Sequence, residues 1–191
     1  MDRYKKNSIL QAAKYSFIFV VIFWIIEAVQ YVGIDLSTWG ILPRSVNGLV
    51  GILTSPFIHG DWEHLIANTL PFFVLSTILL SFYKRNASMY FILLWITTGI
   101  LTWIIGRGAW HIGASGVIYA LASFLVFGGI ASRNWKLILL SIIVAFMYSG
   151  LVWGVFPQDT RISWEGHLSG AISGLIWAYL CRKSLRVKSN F

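Results

Sequence analysis

The chain has 191 residues, 57% of them hydrophobic and 12% charged, with a mean hydropathy of +0.72. A soluble domain carries about 25% charged residues, so this composition excludes a body with water on every side and fits a polytopic membrane protein. The net charge of +8 does not indicate a nucleic-acid partner, because spans of about 20 residues each leave no room for a soluble basic domain.

In chain order, six apolar segments are predicted as spans: about 15–33, 65–83, 88–105, 112–131, 137–156 and 166–181. The first is too long for the apolar stretch of a cleaved signal, and no small-residue cleavage site follows it. One long connection, 34–61, holds Trp39, Pro43 and Pro56. It is too broken to span and is expected to lie in the membrane interface. The whole chain, 1–191, reads as one all-α domain with short tails at about 1–14 and 182–191.

With the N-terminus inside, 12 of the 15 basic residues fall on the inner side. These are Arg3, Lys5, Lys6 and Lys14, then Lys84 and Arg85, then Arg133 and Lys136, then Arg182, Lys183, Arg186 and Lys188. Arg44, Arg107 and Arg161 remain outside. This pattern predicts both termini in the cytoplasm. The same sorting gathers all four histidines, His59, His64, His111 and His167, at the outer ends of spans or in outer loops, with Asp35, Asp61, Glu63, Asp159 and Glu165. The single cysteine, Cys181, lies at the inner end of the sixth span and reads as a packing residue.

Three clusters could carry chemistry. The segment leading into the second span reads His59-Gly-Asp-Trp-Glu-His64-Leu-Ile-Ala-Asn68, which puts His64 and Asn68 on one helical face near the span's outer end. Both side chains can donate hydrogen bonds to an oxyanion, and Asn68 can equally make a structural bond between helices. The fourth span opens with Gly113-Ala-Ser115-Gly116, and Tyr119 lies one turn on. Ser115 reads either as a helix cap or as a nucleophile whose flanking glycines clear the space around it. The sixth span opens at His167 in a stripe of Gly166, Gly170 and Gly174. Such a stripe lets membrane helices touch backbone to backbone, and an ionisable group at that depth is a candidate functional residue. A zinc hydrolase is not indicated. His-Glu-x-x-His places two histidines one turn apart, and no second histidine stands at that spacing from His64.

Together these clusters resemble the rhomboid family of intramembrane serine proteases. The matching elements are His59, His64 and Asn68; Gly113 to Gly116; Tyr119; and His167 with Gly170 and Gly174, from about Pro43 to Leu180. The resemblance implies a six-helix bundle with an interfacial first loop and a Ser115–His167 dyad that needs no metal or cofactor. It further implies oxyanion donors His64 and Asn68 with the Ser115 backbone N–H, Tyr119 stacked on the imidazole, and a structural His59. The implied partners are the lipid bilayer and a transmembrane helix of another membrane protein, cut from the outer side, with the cell membrane as the expected location. The family's first-loop Trp-Arg pair is missing before Thr54-Ser-Pro-Phe57, and so is a glutamate after the second span. His111 reads as loop structure, and Glu27 as facing another helix. A non-cutting rhomboid relative is disfavoured because Ser115 and His167 are both present. A transporter is disfavoured because Glu27 is the one intramembrane charge and no paired broken helices occur.

Overall fold

A computed structural model describes residues 2–83, 86–157 and 162–186, with side chains from residue 9 onward. The side chains of Arg3, Lys5 and Lys6, the inner pair Lys84 and Arg85, the outer Asp159 and Arg161, and Lys188 lie outside the described residues.

The described chain is helical: α1 (Asp2–Tyr31), α2 (Gly51–Thr54), α3 (Trp62–Phe82), α4 (Ala87–Ile105), α5 (Ser115–Ala131), α6 (Trp135–Met147), α7 (Trp164–Leu180) and α8 (Arg182–Leu185). Three helices are long and apolar enough to cross a membrane, or four if α6 and the 3-10 helix Ser149–Val155, bent by 61°, form one span. α5 and α7 have 17 residues each, about 25 Å at 1.5 Å per residue.

Several expected boundaries shift. Residues expected as an N-terminal tail continue α1 back to Asp2, since nothing between 2 and 14 breaks a helix. Residues 112–114, expected within the fourth span, precede α5, because Gly113 takes φ +106°. The expected fifth span breaks after Met147, where Ser149 and Gly150 are poor helix formers. The C-terminal tail starts as α8 rather than as irregular chain, and Arg186 donates to the Ala131 carbonyl at the end of α5. Pro71 sits inside α3 without ending it.

The surface is apolar and the interior holds small polar groups. Phe17, Ile25, Leu70, Ile92, Phe127 and Phe146 are exposed, whereas Ser16, Ser76, Thr98, Ser141 and Ser173 are buried. Water would penalise that arrangement, and hydrocarbon favours it. The buried hydroxyls tie helices together, as Ser16 with Ser76 at 2.8 Å and Ser123 with the Ala171 carbonyl at 2.8 Å. Rings of Phe19, Phe23, Phe57, Phe72, Phe91 and Trp95 interlock α1, α3, α4 and the first loop.

The first loop is anchored without the missing Trp-Arg pair. Arg44 donates to the carbonyls of Ile104 and Gly106 at 2.9 and 2.8 Å, which satisfies the open C-terminal end of α4 and suits its dipole. Trp95 and Trp103 donate their indole N–H groups to the carbonyls of Ile52 and Ser45. Ile41 pairs with His111 in an isolated antiparallel bridge. α5 and α7 share the most extensive helix–helix contact of the fold, and both begin at the same end of the bundle.

Candidate active site

α5 starts at Ser115 and α7 three residues before His167. Their close approach follows from glycine. A Cβ on Gly170 would overlap the Gly116 carbonyl oxygen, and one on Gly174 would lie 2.5 Å from the Ala120 carbonyl oxygen. A Cβ on Gly116 would meet the Gly166 carbonyl at 3.1 Å. These glycines therefore set the distance between the two helices, and Ser115 Oγ stands 2.8 Å from His167 Nε2.

The tautomer follows from the other ring nitrogen. His167 Nδ1 lies 2.9 Å from the Gly154 carbonyl, which can only accept. Nδ1 thus carries the proton, and Nε2 offers its lone pair to the Ser115 hydroxyl. Gly154 belongs to the 3-10 segment beyond the break in α6, and carbonyls at such a helix end lack intrahelical donors. Sequence reasoning missed this partner because a main-chain carbonyl has no residue signature. Tyr119 stacks on the imidazole with ring centroids 4.3 Å apart and planes 9° from parallel, which restricts rotation of the ring.

Ser115 opens α5, where the Ala114 position provides no side-chain cap. Its amide belongs to the unsatisfied N–H groups at the positive end of the helix dipole. Gly113, whose positive φ favours glycine, donates its N–H to the Ser55 carbonyl at 2.9 Å. A Cβ there would lie 2.6 Å from His64 Nε2, so the imidazole of His64 borders the serine loop. Asn68 is buried and donates to the His64 carbonyl at 2.7 Å. Its bond is therefore within α3 and not between helices, and one amide hydrogen is already engaged. Asp61 caps α3 by accepting from the His64 N–H at 2.7 Å.

His59 is fully enclosed, packed on the rings of Phe23 and His64. It joins the first loop to α1 through its backbone carbonyl, which accepts from Gln30 at 3.0 Å. Burial, with His64 nearby, pushes its pKa down to about 3. Glu27 is buried and accepts from Gln30 at 2.9 Å.

Two further contacts lie just outside the serine. His111 Nδ1 is 2.6 Å from Ser163 Oγ, and Arg107 pairs with buried Glu165 at 3.3 Å. Among the described residues no three His, Cys, Asp or Glu side chains are grouped to hold a metal ion. A cavity of about 510 Å³ lined by Phe19, Phe57, Phe91 and Trp95 lies among α1, α3, α4 and the first loop and includes neither Ser115 nor His167.

An apolar helical bundle with a buried polar interior describes an integral membrane protein, here with a serine hydroxyl within hydrogen-bond reach of a histidine ring. The family model of the rhomboid domain matches residues 46–184, and the chain belongs to the rhomboid family. An uncharacterized protein of Mycobacterium bovis is 36% identical over 173 residues, covering 85% of this chain and 72% of its own. One of Mycobacterium leprae is 36% identical over 85% of this chain and 68% of its own. A protein of Acanthamoeba polyphaga mimivirus, named as a rhomboid protein, is 28% identical over 69% of this chain and 75% of its own. Membership of this family implies intramembrane protease activity.

Proposed function

We propose that the protein is a serine endopeptidase that cuts transmembrane segments of other membrane proteins near their outer ends. The carrying observation is the 2.8 Å contact of Ser115 Oγ with His167 Nε2, with the opposite ring nitrogen held by the Gly154 carbonyl. In this reading His167 takes the Ser115 proton as the oxygen attacks the scissile carbonyl. The tetrahedral oxyanion faces the Ser115 backbone N–H and donors from His64 and Asn68. The imidazolium then returns its proton to the leaving amine, which gives an acyl-enzyme and frees one peptide product. Water, deprotonated by His167, releases the second product and restores the serine. Each oxyanion donor is worth about 10²–10³ in rate. No metal or cofactor enters.

The topology that goes with this reading has six spans, an interfacial first loop and both termini in the cytoplasm, with the site open to the outer side of the cell membrane. The distribution of basic residues supports it. So does the short length of α5 and α7, which suits helices that begin below the outer surface and leave a wet cavity above them. The substrate helix must unwind at the cut, since its carbonyls are otherwise held in i→i−4 bonds.

Incubating the purified protein in detergent with a tagged single-span substrate tests the reading. Wild type yields two fragments and Ser115→Ala yields none; fragments from Ser115→Ala would refute it.

A further inference from the structure

Outside the serine and histidine already assigned lies a second serine–histidine contact in the same register. His111 precedes Ser115 by four residues, Ser163 precedes His167 by four, and both pairs are 52 residues apart in sequence. Resting on the proposed dyad, we infer that His111 and Ser163 are positioning residues. They clasp the serine loop to the start of α7 and fix the separation of Ser115 from His167.

The chemistry of the outer pair is determinate. His111 Nε2 lies 3.1 Å from the Arg107 carbonyl, an acceptor only, so Nε2 carries the proton and Nδ1 is a lone pair. The Ser163 hydroxyl therefore donates to His111 Nδ1 at 2.6 Å. The same oxygen accepts from the Gly166 N–H at 3.2 Å, which caps α7. The Ser163 carbonyl accepts from the His167 N–H at 3.1 Å. One residue thus links the His111 ring directly to the first turn of the helix that bears His167.

The other end is equally fixed. The His111 backbone exchanges hydrogen bonds with Ile41 at 2.9 and 2.8 Å, which pins the imidazole to the first loop. Two residues on, Gly113 is held by the Ser55 carbonyl. Beside the clasp, Arg107 contacts Glu165 and donates to the Ile162 carbonyl at 2.9 Å, so the α4–α5 connection grips the first turn of α7 at Glu165 and the two residues before the helix, Ile162 and Ser163. His111 is buried, which limits competition from water for its bond to Ser163. Glycine contacts set how closely α5 and α7 pack along their length, and the clasp sets the register at their outer ends. A hydrogen bond between Ser115 and His167 depends on both.

The test compares His111→Phe, Ser163→Ala and Ser163→Thr with wild type on the single-span substrate, at a temperature where each variant is folded by thermal melt. His111→Phe keeps a ring and leaves the Ser163 cap on Gly166 in place. Ser163→Thr keeps the hydroxyl. The clasp predicts that kcat falls about tenfold or more in His111→Phe and in Ser163→Ala, since small misplacement of reacting groups is costly. KM stays within about twofold, and Ser163→Thr restores most of kcat. Wild-type kcat in His111→Phe with a loss confined to Ser163→Ala would assign Ser163 to capping alone and overturn the clasp. Equal loss in Ser163→Thr would overturn it as well. If wild type itself fails to cut, the dyad reading falls and takes this inference with it; if wild type cuts and both loss variants match it, only the clasp falls.

Discussion

Gly170→Ala adds a single methyl group at the contact between α7 and α5. That methyl would overlap the Gly116 carbonyl oxygen and lie 3.0 Å from Tyr119 Cβ, whereas carbon atoms pack at about 3.5–4.0 Å. The obstacle is backbone, so relief requires α7 to retreat by on the order of 1 Å, a misplacement that costs about 10² in rate where reacting groups are involved. His167 is three residues earlier on the same helical face and moves with it, stretching a 2.8 Å bond beyond the range of a hydrogen bond. Overpacking also lowers stability by about 1–3 kcal/mol. The assay is kcat on the tagged single-span substrate below the melting temperature of the variant, with Gly108→Ala as the control, since no atom lies within 4 Å of a Cβ there. Wild-type kcat in Gly170→Ala would refute the argument that glycine contact sets the distance from Ser115 to His167.

His64→Ala should lower turnover by about 10²–10³ with the melting temperature near wild type. Asn68→Ala should lower it less, because one amide hydrogen already serves the His64 carbonyl; wild-type turnover in the double variant would remove both from the oxyanion site. Acid should destabilise the fold. Burial pushes the His59 pKa down to about 3 and lowers that of His111, so both bind protons less readily in the folded protein than in the unfolded chain, where histidine titrates near pH 6.5. Their contribution is complete above about pH 6.5 and falls by at most about 1.4 kcal/mol per histidine for each pH unit below it. Melting temperatures in detergent at pH 7.5, 6 and 5 should therefore decrease, and a flat series would contradict the assignment. A reporter fused after Phe191 should read cytoplasmic and a cysteine placed at Asp159 should label from outside; the reverse would overturn the proposed orientation.

What could be read in the sequence was whatever a side chain announces. Ser115, Tyr119, His167 and the Gly166-Gly170-Gly174 stripe are spaced by one helical turn or sit at a span's start, so their faces follow from periodicity. His64 and Asn68 share a face for the same reason, yet periodicity does not reveal that Asn68 bonds within its own helix. The Gly154 carbonyl was invisible because backbone acceptors carry no residue label and the break after Met147 had to be located first. The Arg107–Glu165 and His111–Ser163 contacts join residues 58 and 52 positions apart, and one sequence contains no signal for such pairings. By charge distribution Arg44 reads only as an outer cation, whereas it closes the C-terminal end of α4.

The central claim is that His167 activates Ser115, and the most direct measurement is covalent capture of the nucleophile. Treating the detergent-solubilised protein with a fluorophosphonate and mapping the adduct by peptide mass spectrometry should give phosphonylated Ser115 in wild type. His167→Ala should show at least about 10²-fold slower labelling, given the usual worth of a positioned base. An adduct elsewhere, or wild-type labelling of Ser115 in His167→Ala, would contradict the account.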